Sequence, residues 1–151
     1  IKNYNLLYGL NYTILRYATA YGENNRGADV ISIFTKNAVN NVNINIYGNG
    51  KQTRDFTHVK DLAAGSVKSL DKKYQNKILT IGTNKRTSIK NLAKKILNIT
   101  KSKSKILIKK NYRRFDDFDL NKIKKIKNTN LLKLRSFFNL EDGIKYYLKI
   151  K

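Results

Sequence analysis

The chain has 151 residues, 40% of them hydrophobic and 28% charged, enough for one packed domain and too apolar for wholesale disorder. It has no cysteine and a single histidine, which excludes disulfides, zinc–thiolate sites, iron–sulfur clusters, a cysteine nucleophile and a histidine-rich metal centre. The formal charge is +22, and no apolar run approaches the roughly 20 residues of a membrane span.

In chain order, residues 1–8 read as the end of a helix, stopped at Gly9 in a left-handed cap. Residues 12–17 are β-branched and aromatic, a strand, and 18–27 form a small, polar loop with two glycines. Val30, Ile31, Phe34, Ala38 and Val39 share a helix face over 28–39. A short strand at 44–47 leads into the turn Gly48-Asn49-Gly50, an extended piece at 52–58 and a helix at 59–70. A strand at 78–82 precedes the most regular helix, 88–99, with Ile89, Leu92, Ala93, Ile96 and Leu97 in register and Thr87 or Ser88 as N-cap. A strand at 105–109, a short basic helix at 119–126 and a last helix through Ile150, opened by Asn139 and the acids Glu141 and Asp142, complete the series. Strands alternating with helices at this spacing indicate an α/β fold.

The charge is carried by 25 Lys and only 7 Arg, alongside 20 Asn, 17 Ile and no Pro. Base readout and two-pronged phosphate grips favour Arg, so this composition points to drift toward A/T-rich codons, with a polyanion-binding surface as the alternative. Seventeen of the lysines lie from Lys85 onward. No zinc-finger, basic-zipper or aromatic RNA-binding signature accompanies them. The missing Met, even at position 1, suggests the tail of a longer protein.

The most specific segment runs from Tyr47 to Asp61: Tyr-Gly-Asn-Gly-Lys-Gln-Thr-Arg-Asp-Phe-Thr-His-Val-Lys-Asp. A glycine turn joins two extended pieces, and the second presents Arg54. With Asp55, His58 and Asp61 close by, Arg54 could be half of a structural ion pair, or it could clamp a phosphate with two parallel bonds. The residues alone leave both readings open. His58 is read as satisfying backbone groups beside the strand.

Three stretches resemble the extended short-chain dehydrogenase/reductase family, and within it the NAD-dependent nucleotide-sugar epimerases and dehydratases of the UDP-glucose 4-epimerase-like type. Leu15-Arg16-Tyr17-Ala18-Thr19-Ala20-Tyr21-Gly22 is similar to the family's Leu-Arg-Tyr-x-Asn-x-Tyr-Gly-Pro. Ile46 to Gly50 with Thr53-Arg54-Asp55-Phe56, His58-Val59 and Asp61 is similar to Ile-Tyr-Gly-Asp-Gly-x-x-x-Arg-Asp-Phe-x-x-Val-x-Asp. Ile81-Gly82 followed by Ser88-Ile89 resembles the Asn-x-Gly strand end and the Ser-Ile that opens the next helix.

The resemblance implies an α/β fold that is the C-terminal part of an extended Rossmann-type enzyme. Residues 1–22 and 57–82 would be a remnant of the NAD-binding Rossmann domain, and 23–56 and 83–151 an α+β substrate-binding lobe. It implies a UDP-linked nucleotide sugar as ligand, with Arg54 on the diphosphate, Tyr47 beside the base and Thr19 where the family has a phosphate-facing Asn. Tyr17 would lie near the nicotinamide. Tyr112-Arg113-Arg114-Phe115-Asp116-Asp117 resembles a worn Arg-Pro-Gly-Asp, which would turn Arg114 toward phosphate and Asp117 toward the ribose.

The family's glycine-rich cofactor loop, catalytic Ser or Thr and Tyr-x-x-x-Lys pair have no counterpart here. Tyr47/Lys51 and Tyr147/Lys151 have the spacing, but the first pair spans a glycine turn and the second ends the chain. No catalytic residue is therefore assigned, and the chain alone is expected to be inactive, with NAD held mainly by a missing N-terminal half supplied in cis or in trans. A homodimer, a cytoplasmic location and no membrane or nucleic-acid partner are the remaining expectations. The alternative function is a non-catalytic basic nucleotide- or nucleic-acid-binding module. Strands left without their sheet neighbours would make the isolated chain self-associate.

Overall fold

A computed structural model describes residues 1–109, 130–132, 134 and 137–150. Along the chain run α1 (Lys2–Tyr8), β1 (Thr13–Tyr17), β2 (Thr19–Tyr21), α2 (Val30–Val39), β3 (Ile44–Tyr47), β4 (Thr53–His58), α3 (Val59–Lys68), a 3-10 turn (Lys72–Tyr74), β5 (Lys77–Ile81), β6 (Arg86–Ser88), α4 (Ile89–Thr100), β7 (Ile106–Lys109), β8 (Asn130–Leu131) and α5 (Leu140–Leu148).

The helices begin where a side-chain acceptor meets their free N–H groups. Asp29 accepts from Ile31 N and Ser32 N to start α2, and Ser88 accepts from Asn91 N to start α4. His58 caps α3 through Lys60 N, and Asn139 caps α5 through Asp142 N. The first helix has no such cap and ends at Gly9 with φ 66°, the left-handed stop that the sequence suggests.

Among the described residues three small sheets carry the strands: β1-β5-β8, entirely parallel; β2-β4-β6, parallel between β2 and β4 and antiparallel between β4 and β6; and the parallel pair β3-β7. Ala18 N donates to Ile81 O at 2.9 Å, stitching the first sheet to the segment that enters the second. The main core lies under α2, α4 and α5, where Ile31, Phe34, Ile44, Phe56, Leu92, Ile96 and Ile144 are buried together. A smaller core of Leu62, Leu79, Ile81 and Leu132 backs the first sheet.

Three short strands were not legible, and one of them, Asn130–Leu131, pairs in parallel with Leu79–Thr80. Residues 19–21 fall in the expected loop, yet they pair in parallel with Phe56–His58. Residues 86–88 pair with Thr53–Asp55 just before α4. Both are too short to show a period, and both depend on β4 lying between them. The helix expected to reach Leu70 stops at Lys68, leaving Leu70 exposed. The basic helix expected at 119–126, and Arg114 and Asp117 with it, lie outside the described residues.

Candidate functional site

The site is organised by β4. Alternation along a strand puts Arg54 and Phe56 on one face and Thr53, Asp55 and Thr57 on the other. Registered neighbours share a face, so Thr19, beside Phe56 in β2, and Thr87, opposite Arg54 in β6, join the Arg54 face. A cleft of about 540 Å³ opens there, lined by Phe56, Thr83, Lys85, Thr87 and Lys95, with residues 137–141 on the far wall. Lys95 and Glu141 form an ion pair across it, which holds the Glu141 carboxyl below its ordinary range.

Arg54 is half-buried and donates from Nη1 to the Thr53 carbonyl at 3.0 Å. The acid that follows it in sequence is not its partner. Asp55 accepts from Thr83 N at 3.3 Å, Asn84 N at 2.8 Å and the hydroxyls of Thr57 and Thr83, so it fastens the turn after β5 to β4. Among the described residues the only ion pairs are Lys73–Asp71 and Lys95–Glu141. Of the two readings that the residues left open for Arg54, the geometry thus gives the ion pair no support.

The other sequence candidates fall elsewhere. Tyr47 ends β3 with an exposed ring, just before the turn in which Gly48 and Gly50 take φ of 81° and 69°. That turn is tied to α4, because Lys90 N donates to Gly50 O at 3.0 Å and Ile89 N to Gln52 O at 2.9 Å. Tyr17 ends β1 with a half-exposed ring and its hydroxyl 2.8 Å from Ser66 Oγ. The structure therefore brings Thr19 and Arg54 onto one face, while Tyr17 and Tyr47 close separate strands.

His58 goes further than capping. It is fully buried, edge-on to Tyr21 at 5.3 Å and against Phe138 at 4.4 Å between ring centroids. Nδ1 accepts from Lys60 N, whereas Nε2 and the Tyr21 hydroxyl are buried with no hydrogen-bond partner among the described residues. Burial lowers the His58 pKa, with Asp61 opposing, and burial raises that of Tyr21. Asp61 itself accepts from Phe138 N at 2.9 Å and so anchors the far wall of the cleft to α3. His58, Asp61 and Asp55 are structural organisers of the site; sequence reasoning missed Asp55 in this role because its partners lie 28–29 residues away.

The family described as NAD dependent epimerase/dehydratase matches residues 1–82. Among curated proteins, the chain is 46% identical over 95 residues to a Methanocaldococcus jannaschii protein provisionally assigned as a UDP-glucose 4-epimerase, covering 61% of this chain and 30% of that one. It is 38% identical over 104 residues to a UDP-N-acetyl-alpha-D-glucosaminuronate decarboxylase of Bacillus cytotoxicus, covering 67% of this chain and 32% of that one. Its fold is similar to that of Thermotoga maritima UDP-glucose 4-epimerase solved with UDP-glucose, with a TM-score of 0.80 and 25% identity over 99% of this chain and 48% of that one. The Thermus thermophilus UDP-glucose 4-epimerase solved with NAD shares the fold at a TM-score of 0.77 and 18% identity, again over 99% of this chain and 49% of that one. The chain thus spans about a third of these curated relatives and about half of the solved ones.

Proposed function

The chain belongs to the NAD-dependent epimerase/dehydratase family, and on that premise we propose that it supplies the substrate-binding part of a nucleotide-sugar epimerase or dehydratase, with a UDP-linked sugar as ligand. The observation that carries this reading is Arg54: a half-buried guanidinium on the face of β4 whose Phe56, with Thr87 across the ladder, lines the cleft, in no ion pair among the described residues. Its planar fork matches a phosphate with two parallel charge-assisted bonds. Thr19 would add a hydroxyl donor on the same face, and the exposed Tyr47 ring would flank the base. Arg114 and Asp117 would meet phosphate and ribose from the segment outside the described residues.

The cofactor's fit is testable here only at the carboxyl end of β1, where ligands of open parallel sheets bind. There the Tyr17 ring is half exposed and steadied by Ser66, which fits an edge contact with a nicotinamide. When bound, NAD would supply reversible hydride exchange with the sugar. This chain's residues would do the rest of the holding: Arg54 binds and orients the diphosphate, and Tyr17 sets the distance between ring and sugar. Residues 1–22 and 57–82 are assigned to the cofactor side and 23–56 and 83–151 to the substrate side. The sequence holds no Gly-x-x-Gly-x-x-Gly run, and its two Tyr-x-x-x-Lys spacings are read as chance, Tyr47/Lys51 across the glycine turn and Tyr147/Lys151 with its lysine outside the described residues, so turnover would need a complementary N-terminal half, in cis or in trans, and the active assembly could be a homodimer.

Calorimetric titration with UDP-glucose and UDP-glucuronate tests this reading. The parent chain is expected to bind, and Arg54→Ala to weaken binding at least tenfold without lowering the unfolding midpoint. Equal affinity of parent and variant would remove the premise that Arg54 holds the diphosphate.

A further inference from the structure

We propose that Asn49 is a site of spontaneous covalent modification, where the backbone nitrogen of Gly50 displaces the side-chain amide and the resulting ring opens to aspartate or isoaspartate. The isoaspartate product unfastens the β3–β4 turn from α4. Asn49-Gly50 is the one Asn-Gly pair in a chain with 20 asparagines. Asn49 is exposed in the turn, and its Oδ1 accepts from Lys51 N at 2.8 Å. That bond closes a ring that runs through Asn49 Cγ and Gly50 N, so the side chain is folded back over the peptide group whose nitrogen attacks it.

Three further features favour cyclisation. Gly50 has no side chain to shield its nitrogen, and the fold requires a glycine there: φ is 69°, and a Cβ would lie 3.2 Å from Lys90 Cβ and 3.3 Å from Ile46 Cγ2. Gly50 N donates no hydrogen bond to any described residue, although Gly50 O accepts from Lys90 N at 3.0 Å. Finally, the charge around the turn is of one sign. No Asp or Glu occurs from residue 30 to residue 54, while Lys51 is adjacent in the chain and Lys90 packs on Gly50. Positive neighbours favour the anionic oxygen that forms at Asn49 Cγ, and the Lys51 N–H already points at that oxygen.

The step balances with water as the only co-reactant. Hydroxide takes the Gly50 N–H proton, a bond forms from that nitrogen to Asn49 Cγ, and the Cγ–Nδ2 bond breaks with the nitrogen leaving as ammonia. Water then opens the cyclic imide at one of its two carbonyls. Opening at Cγ gives aspartate, whose carboxylate still accepts from Lys51 N and leaves the main chain unchanged. Opening at the backbone carbonyl gives isoaspartate, in which the main chain runs through Cβ and Cγ and is one methylene longer. The extra length falls immediately before Gly50, whose carbonyl is the turn's tie to Lys90 N.

The test is a time course of the folded full chain at mildly alkaline pH, beside the same chain in guanidinium chloride, read by mass spectrometry of proteolytic peptides. We expect Asn49 to become an acid before any other asparagine, and at least as fast in the folded chain as in the denatured one. Asn49→Gln, which must close a larger ring, should lose its amide at least about tenfold more slowly. Amide hydrogen exchange of the ¹⁵N-labelled chain then reads the consequence. Lys90 N–H should lose protection as isoaspartate accumulates, whereas Asn49→Asp should keep it. No loss of the Asn49 amide, a slower loss in the folded chain than in the denatured one, or earlier conversion of another asparagine overturns the site. Unchanged Lys90 protection in isoaspartate-rich protein overturns the unfastening. No ligand enters these measurements, so their failure leaves the nucleotide-sugar reading untouched.

Discussion

Helices α1 and α4 look alike as sequence and differ as structure. Both carry apolar residues at helical spacing, yet α4 buries Leu92, Ala93 and Ile96 completely, whereas α1 buries nothing and leaves Leu6 82% and Leu7 73% exposed. The difference is one of partners. Helix α4 lies against α2, β3, β6 and α5, a closed set of neighbours inside this chain. The first helix has seven residues, no side-chain bond at its N-cap and no buried residue. A helix so short is marginal in water unless an apolar face is packed. The same contrast separates the main core from the smaller one behind β1 and β5, where exposed Val67 and Leu70 add to the uncovered apolar surface and β1 is an edge strand of its described sheet. Surface of this kind favours association, so the isolated chain is expected to self-associate through its α1–β1 side.

The sharpest way to break this comparison is to truncate one leucine in each helix. Leu92→Ala should cost about 3 kcal/mol in denaturant unfolding, from lost transfer energy plus a cavity. Leu6→Ala should stay within about 0.5 kcal/mol, as for exposed sites. Similar losses at both positions would show that α1 is packed in solution. A smaller effect comes from the helix start: Ser88→Ala removes the acceptor for Asn91 N and should cost about 1 kcal/mol by the same measurement. No such position exists in α1, whose first residue makes no side-chain cap bond.

The mildest effect near neutral pH concerns His58, which belongs to the well-packed side. Its pKa is lowered from the ordinary 6.5, chiefly by burial. The folded state then binds fewer protons than the unfolded chain, so the contribution of neutral His58 is complete above about pH 6.5 and is lost as pH falls through 6.5 toward the lowered value. The unfolding midpoint should decline over that interval in the parent, and the decline should shrink in His58→Gln. An unchanged slope in the variant would assign the pH dependence to other groups.

Much of the site was readable from residue order. The run Tyr47 to Asp61 implied a glycine turn, a strand and a helix start, and these are β3, the turn at Gly48 and Gly50, β4 and α3. The face of α4 and the cap at Ser88 were equally plain, because a period of about 3.6 and a serine before it are local signals. The pairing of Thr19 with Phe56 was not readable, since three residues cannot display a period and their partner lies 37 positions on. The task of Asp55 was hidden for the same reason: next to Arg54 it looks like an ion-pair partner, and only the arrival of residues 83 and 84 gives its oxygens other work.

Local order in the amino-acid string was therefore sufficient for the α/β class, most helices and strands, and the family likeness, because caps, turns and hydrophobic periods act over a few residues. Which partners the charged side chains find among the described residues was decided by the tertiary structure alone. That outcome depends on β6 crossing beside β4, on the turn after β5 claiming the carboxylate of Asp55, and on one carbonyl meeting two guanidinium groups that lie 32 residues apart in the chain.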